Sequence, residues 1–213
     1  AGASPWSTRT FTIPNRKGYE NGDAVASGRL SELGCYFVVA DGLGTARLSA
    51  QGSSAIVRMT EERLSTADVK SDPDSLRALL IDTANEVERE WVSWANTSPD
   101  GDPSDFSTTL SFGVVVGDWI GAFSIGDGFI ASQYGGDGQV LKLLVPPERD
   151  DEGRVRVVKE GAAGFGRLIV AYDPEFSTFL VSTDGLEDLL VDTNLDGTDQ
   201  WTASLEPDLT RYV

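Results

Sequence analysis

The chain has no histidine, a single cysteine and a single methionine among its 213 residues. Without imidazole there is no Ser-His-Asp triad, no Cys-His dyad and no nitrogen ligand for zinc. The lone thiol, Cys35, rules out an intramolecular disulfide and a thiolate zinc cluster, and it suits a reducing compartment or a protein indifferent to redox. Long apolar runs are missing too. The longest, residues 36–40 and 168–172, are strand-sized, far below the roughly 20 residues that span a bilayer. Ala1-Gly-Ala-Ser4 shows no charged-then-apolar leader pattern and reads as a processed start. With no spanning run and an ordinary globular composition, a soluble, cytoplasmic protein is expected. Bases are scarce: 17 Lys and Arg stand against 34 Asp and Glu, a net charge of −17 with a pI near 4.2. Such a surface repels phosphate backbones and anionic headgroups, so neither nucleic acid nor a membrane is an expected partner. Chemistry is left to carboxylates, hydroxyls, cations, backbone or metal.

What is present is an ordinary globular composition, 40% hydrophobic and 24% charged, in a length that suits one domain over residues 1–213. Strand-like pieces at 11–13 and 24–26 flank a polar loop. Residues 35–40 form a continuous apolar run, the pattern of a strand buried on both faces, and it stops at Asp41-Gly42. Residues 47–64 read as an amphipathic helix through Leu48, Ile56, Met59 and Leu64. Asp72-Pro73 supplies the cap and first turn of a second helix. Its Leu76, Leu80, Ala84, Val87, Trp91 and Trp94 make one apolar stripe that ends near Pro99. Residues 108–116, 119–125, 129–134 and 139–144, joined by short Gly/Asp turns, read as a four-stranded antiparallel meander. Beyond an acidic loop at 148–152, residues 155–159, 167–172 and 179–182 continue as strands. The expectation is an α+β fold, antiparallel sheet covered by helices.

The aspartates sit where strands stop. Asp41 and Asp184 each follow an apolar strand and each precede glycine; Asp127 lies between Gly126 and Gly128, and Asp23 follows Asn21-Gly22. A carboxylate at the mouth of a buried strand is half desolvated, which is costly unless a cation or donors meet it. Oxygen ligands without nitrogen or sulfur select Mg²⁺, Mn²⁺ or Ca²⁺. Ordinary Asx/Gly turn chemistry is the competing account of each pair taken singly.

Five segments in order carry a resemblance: Asn21-Gly-Asp-Ala24, Phe37-Val-Val-Ala-Asp-Gly-Leu-Gly44, Ser107-Thr-Thr-Leu110, Ile125-Gly-Asp-Gly128 and Leu180-Val-Ser-Thr-Asp-Gly-Leu-Glu-Asp188. Together they resemble the motifs of the metal-dependent type-2C serine/threonine protein phosphatases, bacterial branch. The resemblance implies two packed antiparallel β-sheets flanked by α-helices. It implies that Asp41 bridges two Mn²⁺ or Mg²⁺ ions, that the Gly42 carbonyl holds one of them, and that Asp184 ligates the other. Asp23 would bind directly or orient metal-bound water, while Asp127 and Asp188 match positions that hold a third metal. The implied reaction is hydrolysis of a phosphoserine or phosphothreonine protein by in-line attack of a metal-bridging hydroxide, with Asp41, Asp184 and Asp23 as the catalytic set.

The chain departs from the family at three places. Gly18 stands where many members carry a phosphate-gripping arginine, and Arg16 is the nearby candidate for that role. Leu43 occupies the position of an animal-type histidine, as in bacterial members. Pro207-Asp208-Leu209-Thr210 is the nearest match to the closing Asp-Asn or Asp-Asp ligand pair, which leaves the final strand missing or altered. The first and last of these departures favour one alternative, a catalytically impaired pseudophosphatase acting as a binding or regulatory module. A third reading is a calcium loop at Asp192-Thr-Asn-Leu-Asp-Gly197, which lacks the glutamate that pattern needs at its twelfth position.

Overall fold

A strand that is apolar at every position needs cover on both faces, and β2 (Gly34–Ala40) receives it. Tyr36, Val38 and Ala40 face two helices, while Cys35 and Phe37 face a second sheet. β3 (Leu110–Val116) and β4 (Trp119–Ile125) repeat the alternation: Phe112, Val114 and Phe123 lie under the helices, Val115, Ile120 and Ala122 between the sheets. The computed structural model describes residues 8–10, 12, 21–30, 34–134, 141–186 and 202–203. In it β1 (Ala24–Leu30), β2, β3, β4 and β7 (Arg167–Tyr172) form a five-stranded antiparallel sheet in the order β1-β2-β3-β4-β7. The second sheet, β8-β5-β6-β9, is built from β5 (Phe129–Tyr134), β6 (Leu141–Val145), β8 (Phe176–Ser182) and a short β9 (Thr202–Ala203).

Both described α-helices, α1 (Ser49–Leu64) and α2 (Pro73–Thr97), lie on the outer face of the five-stranded sheet. Asp72 caps α2, its Oδ1 accepting from Ser75 N at 2.9 Å, and Pro73 fills the first turn. The stripe Leu76, Leu80, Ala84, Val87 and Trp91 is buried as the spacing requires. Trp94 is only half-buried and stacks edge-on against Phe106, ring centroids 4.9 Å apart. No described helix is long and apolar enough to cross a membrane.

Two sequence expectations change. The four-stranded meander is divided: β3 and β4 pair in the first sheet, whereas β5 and β6 pair in the second. The turn at Gly126-Asp127-Gly128 is a crossing between sheets, made with Gly126 at φ +114°, where an added Cβ would lie 2.6 Å from the Thr109 side chain. Residues 155–159 are not a strand. Val158 is buried and its N–H donates to the Thr108 carbonyl at 2.8 Å, a bond to the sandwich that does not extend into a ladder. Of the piece expected at 11–13, Phe11 and Ile13 lie outside the described residues.

Glu88, buried on α2, fastens the following loop. Its carboxylate accepts from Gly161 N at 2.6 Å and from Ala163 N, so the glycine-rich stretch 161–166 spends its donors internally. Replacing Glu88 with alanine orphans two backbone N–H groups and should lower stability by about 2–4 kcal/mol, with glutamine recovering part of it. Urea unfolding measures this; a loss below about 0.5 kcal/mol for the alanine variant would contradict the fastening role.

Candidate metal centre

Four carboxylates arrive at one end of the sandwich from different elements. Asp41 follows β2 and is locked by its backbone: its N–H donates to Thr109 Oγ1, and its carbonyl accepts from Thr109 N and Thr108 Oγ1, each at 2.9 Å. The Ser107-Thr108-Thr109 segment therefore positions an aspartate. Asp23 stands just before β1, its N–H donating to Asn21 Oδ1 at 3.0 Å. Asp127 rides the crossing between sheets and is buried, 2% exposed. Asp184 opens the 3-10 turn Asp184–Leu186 directly after β8.

One carboxylate oxygen from each of Asp41, Asp127 and Asp184 lies within 4.8 Å of the others. Asp23 joins them through a hydrogen bond with Asp41. Asp23, Asp41, Gly42 and Asp184 line a cleft of about 630 Å³, whose wall also carries Arg47. Gly42 is required by contact: its N–H donates to the Gly22 carbonyl at 3.0 Å, and a Cβ would lie 2.8 Å from both that oxygen and Ser49.

The Asp41 carboxyl is pushed up to about 8, by burial first, then by the charge and hydrogen bond of Asp23, then by the charges of Asp184 and Asp127. Asp23 is also raised, by burial first; the hydrogen bond with Asp41 works the other way, and the charge of Asp184 adds. Like charges held together out of water demand positive charge. The donors fit a hard divalent cation: they are all oxygen, and oxygens bound to one such ion at about 2.0–2.6 Å can be no more than about 5 Å apart.

Two arginines that the sequence reading did not single out complete the cluster. Arg149 Nη2 lies 3.1 Å from Asp127 Oδ2 and 3.5 Å from Asp184 Oδ2. Arg167, at the start of β7, donates through Nη2 to the carbonyl of Gly126 at 2.6 Å and to Ser124 Oγ at 3.0 Å, and through Nη1 to the Pro146 carbonyl. Its Nε sits 3.3 Å from Glu148 Oε2, an ion-pair distance at an angle that makes no hydrogen bond. Arg167 carries a readable signal, a cation at the mouth of an apolar strand. Arg149 carries none, being one base inside the acidic run 148–152. Arg16, Gly18, Asp188, the 192–197 loop and 207–210 all lie outside the described residues.

The raised Asp41 has a thermodynamic consequence. Folded, it keeps its proton up to about pH 8; unfolded, it releases it near its ordinary value of 3.8. Between those values the folded state binds more protons, so stability falls as pH rises through the window. In EDTA the melting temperature should therefore decline from pH 5 to pH 8, and Asp41→Asn should flatten the decline and melt higher at pH 8. Identical pH slopes for the two proteins would contradict the cluster's electrostatics.

Comparison with known proteins bears on the fold and the family. The family model described as Protein phosphatase 2C matches residues 14–211. Among solved structures, the serine/threonine phosphatase Stp1 from Staphylococcus aureus superposes with a TM-score of 0.71 at 12% identity, covering 84% of this chain and 76% of its own. The serine/threonine phosphatase of S. agalactiae gives 0.66 at 19%, covering 84% and 79%. RsbX, solved in complex with magnesium, gives 0.52 at 15%, covering 83% and 72%. No match is found among curated proteins. At such identities the structures speak for the fold, and the family model, spanning nearly the whole sequence, settles membership: the chain belongs to the protein phosphatase 2C family.

Proposed function

We propose that the protein is a metal-dependent phosphatase that hydrolyses phosphoserine and phosphothreonine monoesters on protein substrates, as one domain over residues 1–213. The observation that carries this reading is the convergence of Asp41, Asp127 and Asp184, distant in sequence, on one point. Family membership supports it, and the neighbour RsbX was solved with magnesium. In this reading Asp41, Asp184, Asp23 and the Gly42 carbonyl would hold two Mn²⁺ or Mg²⁺ ions, and Asp127 with Asp188 would hold a third. Bound there, the cations would supply Lewis acidity toward phosphorus and an acidified water.

The chain's own residues do the positioning. Thr108 and Thr109 fix Asp41 through three backbone-directed bonds, so the carboxylate cannot relax away from its neighbours. Arg167 fixes the carbonyl before Asp127. Arg47, held to Asp105 Oδ2 at 3.0 Å and to the Asp100 carbonyl at 2.9 Å, presents positive charge on the cleft wall where an anionic substrate would enter. Arg16 is retained as a phosphate ligand from the polar loop.

The ion pairs of Arg149 favour one alternative, a phosphatase-like module that binds without turnover, because a guanidinium already supplies the cluster with positive charge. Turnover separates the two. With Mn²⁺ the protein should hydrolyse p-nitrophenyl phosphate and a phosphothreonine peptide, EDTA should abolish both activities, and Asp41→Asn should lower kcat/KM at least ~100-fold. Folded, Mn²⁺-saturated protein with no turnover on either substrate would overturn the enzymatic reading.

A further inference from the structure

The segment carrying Arg149 is built to deliver it. On its N-terminal side, Arg167 grips the Pro146 carbonyl and lies 3.3 Å from Glu148, with its other edge on the Gly126 carbonyl beside Asp127. On its C-terminal side, Asp150 closes a tight turn. Its N–H donates to the Arg154 carbonyl at 3.0 Å, and its carboxylate accepts from Arg154 N and Nε, each at 2.8 Å. Arg149 is thus held between two anchored points, one of them on the very loop that bears Asp127. The other two bases of the stretch aim elsewhere. Arg154 pairs with Asp150 and Glu152, and Arg156 donates to the Phe165 carbonyl. Only Arg149 among these three reaches the cluster.

The two carboxylates it meets differ in need. Asp127 is almost fully buried, its side chain 3% exposed, and a buried carboxylate without a partner is costly. Arg149 lies 3.1 Å from it while remaining 37% exposed itself, so the guanidinium has solvent on one side to move into. A divalent cation ligated by the same oxygens of Asp127 and Asp184 would stand within a few ångströms of that guanidinium and repel it. The two compete for those oxygens.

From this geometry we propose that Arg149 is an internal counter-cation, holding the Asp127 and Asp184 carboxylates in the metal-free protein and competing with divalent cations for them. The inference rests on the metal-centre reading above and sharpens it. The chain's apparent metal affinity is set by the oxygen donors minus the displacement of one arginine. The fold is also spared the full repulsion of an empty acidic cluster.

Calorimetric titration of Mn²⁺ into chelator-stripped protein tests this without reference to turnover. Arg149→Gln should bind Mn²⁺ about five- to tenfold more tightly than the unaltered chain, since the competitor is gone. Arg149→Lys, which keeps the charge but loses the fork of donors, should fall between them. Arg154→Gln, altering a base of the same loop that misses the cluster, should leave affinity unchanged. Melting in EDTA adds a second readout: Arg149→Gln should melt below the unaltered chain, with the gap closing at saturating Mn²⁺. Equal or weaker Mn²⁺ binding by Arg149→Gln, in a chain that itself binds Mn²⁺, overturns the counter-cation role and leaves the metal centre standing. Failure of the unaltered chain and of Arg149→Gln alike to bind Mn²⁺ removes the metal centre, and the competition with it.

Discussion

Four carboxylates crowded at one end of a β-sandwich repel one another, and the surrounding structure is organised to keep them from separating. Two fully ionised groups about 4–5 Å apart in a partly screened site oppose each other by on the order of 3–4 kcal/mol, and less where one, like Asp184, is half-exposed. No single anchor holds against that. Thr108 and Thr109 tie the backbone of Asp41, Asn21 ties that of Asp23, and Arg167 ties the carbonyl preceding Asp127. These anchors act on main chain, so what meets the carboxylate oxygens is left to the cluster itself: Asp23 and Asp41 hydrogen-bond to each other, and Arg149 stands against Asp127 and Asp184.

The division of hairpins between sheets is what makes the convergence possible. Had β3 to β6 continued as one meander, Asp127 would sit in a turn at the sheet's margin, exposed and remote from β8. Because the chain crosses at Gly126, β5 pairs with β8 in the second sheet, and Phe129 lies opposite Ser182 in register. The residues just outside that pair, Asp127 before β5 and Asp184 after β8, are brought level by antiparallel pairing alone. Asp41 enters from the first sheet, where β2 and β3 are partners and Thr109 stands one residue ahead of β3. Glycine at 126 is thus a condition of the site as much as of the turn, since φ +114° is a conformation other residues avoid.

Much of this was readable from the residues. β2 announces itself because an unbroken apolar run must be covered twice, and its abrupt end marks Asp41; the α2 stripe and its Asp72-Pro73 start follow from period and capping chemistry. The crossing was not readable, because Gly-Asp-Gly is the composition of a hairpin turn and of a sheet-to-sheet passage alike. Residues 155–159 alternate like a strand, yet only Val158 is pulled inward, and backbone partners rather than side chains decide whether a ladder forms. Arg149 was invisible because local composition averages one base into an acidic loop. Only the anchoring by Arg167, some twenty residues downstream, gives it a direction.

A net charge of −17 makes the placement of the few bases matter more than their number. A phosphorylated substrate is itself a dianion, and the protein's average field opposes its approach. At physiological salt that opposition is screened beyond about 8 Å, so what a bound phosphate feels is set by the charges immediately around it. Among the described residues those around this cleft include Arg47 on the wall, Arg149 on the carboxylates and Arg167 beside Asp127, together with whatever cations the carboxylates hold. In the proposed reaction the acidic cluster and the acidic surface then have opposite effects on the same substrate. Filled with divalent cations, the cluster becomes the strongest local attraction for phosphate; emptied, it becomes one more repulsive patch, offset in part by the guanidinium of Arg149. Metal loading therefore converts the sign of the site, and an acidic protein of this family has no broad basic surface to fall back on when the metal is gone.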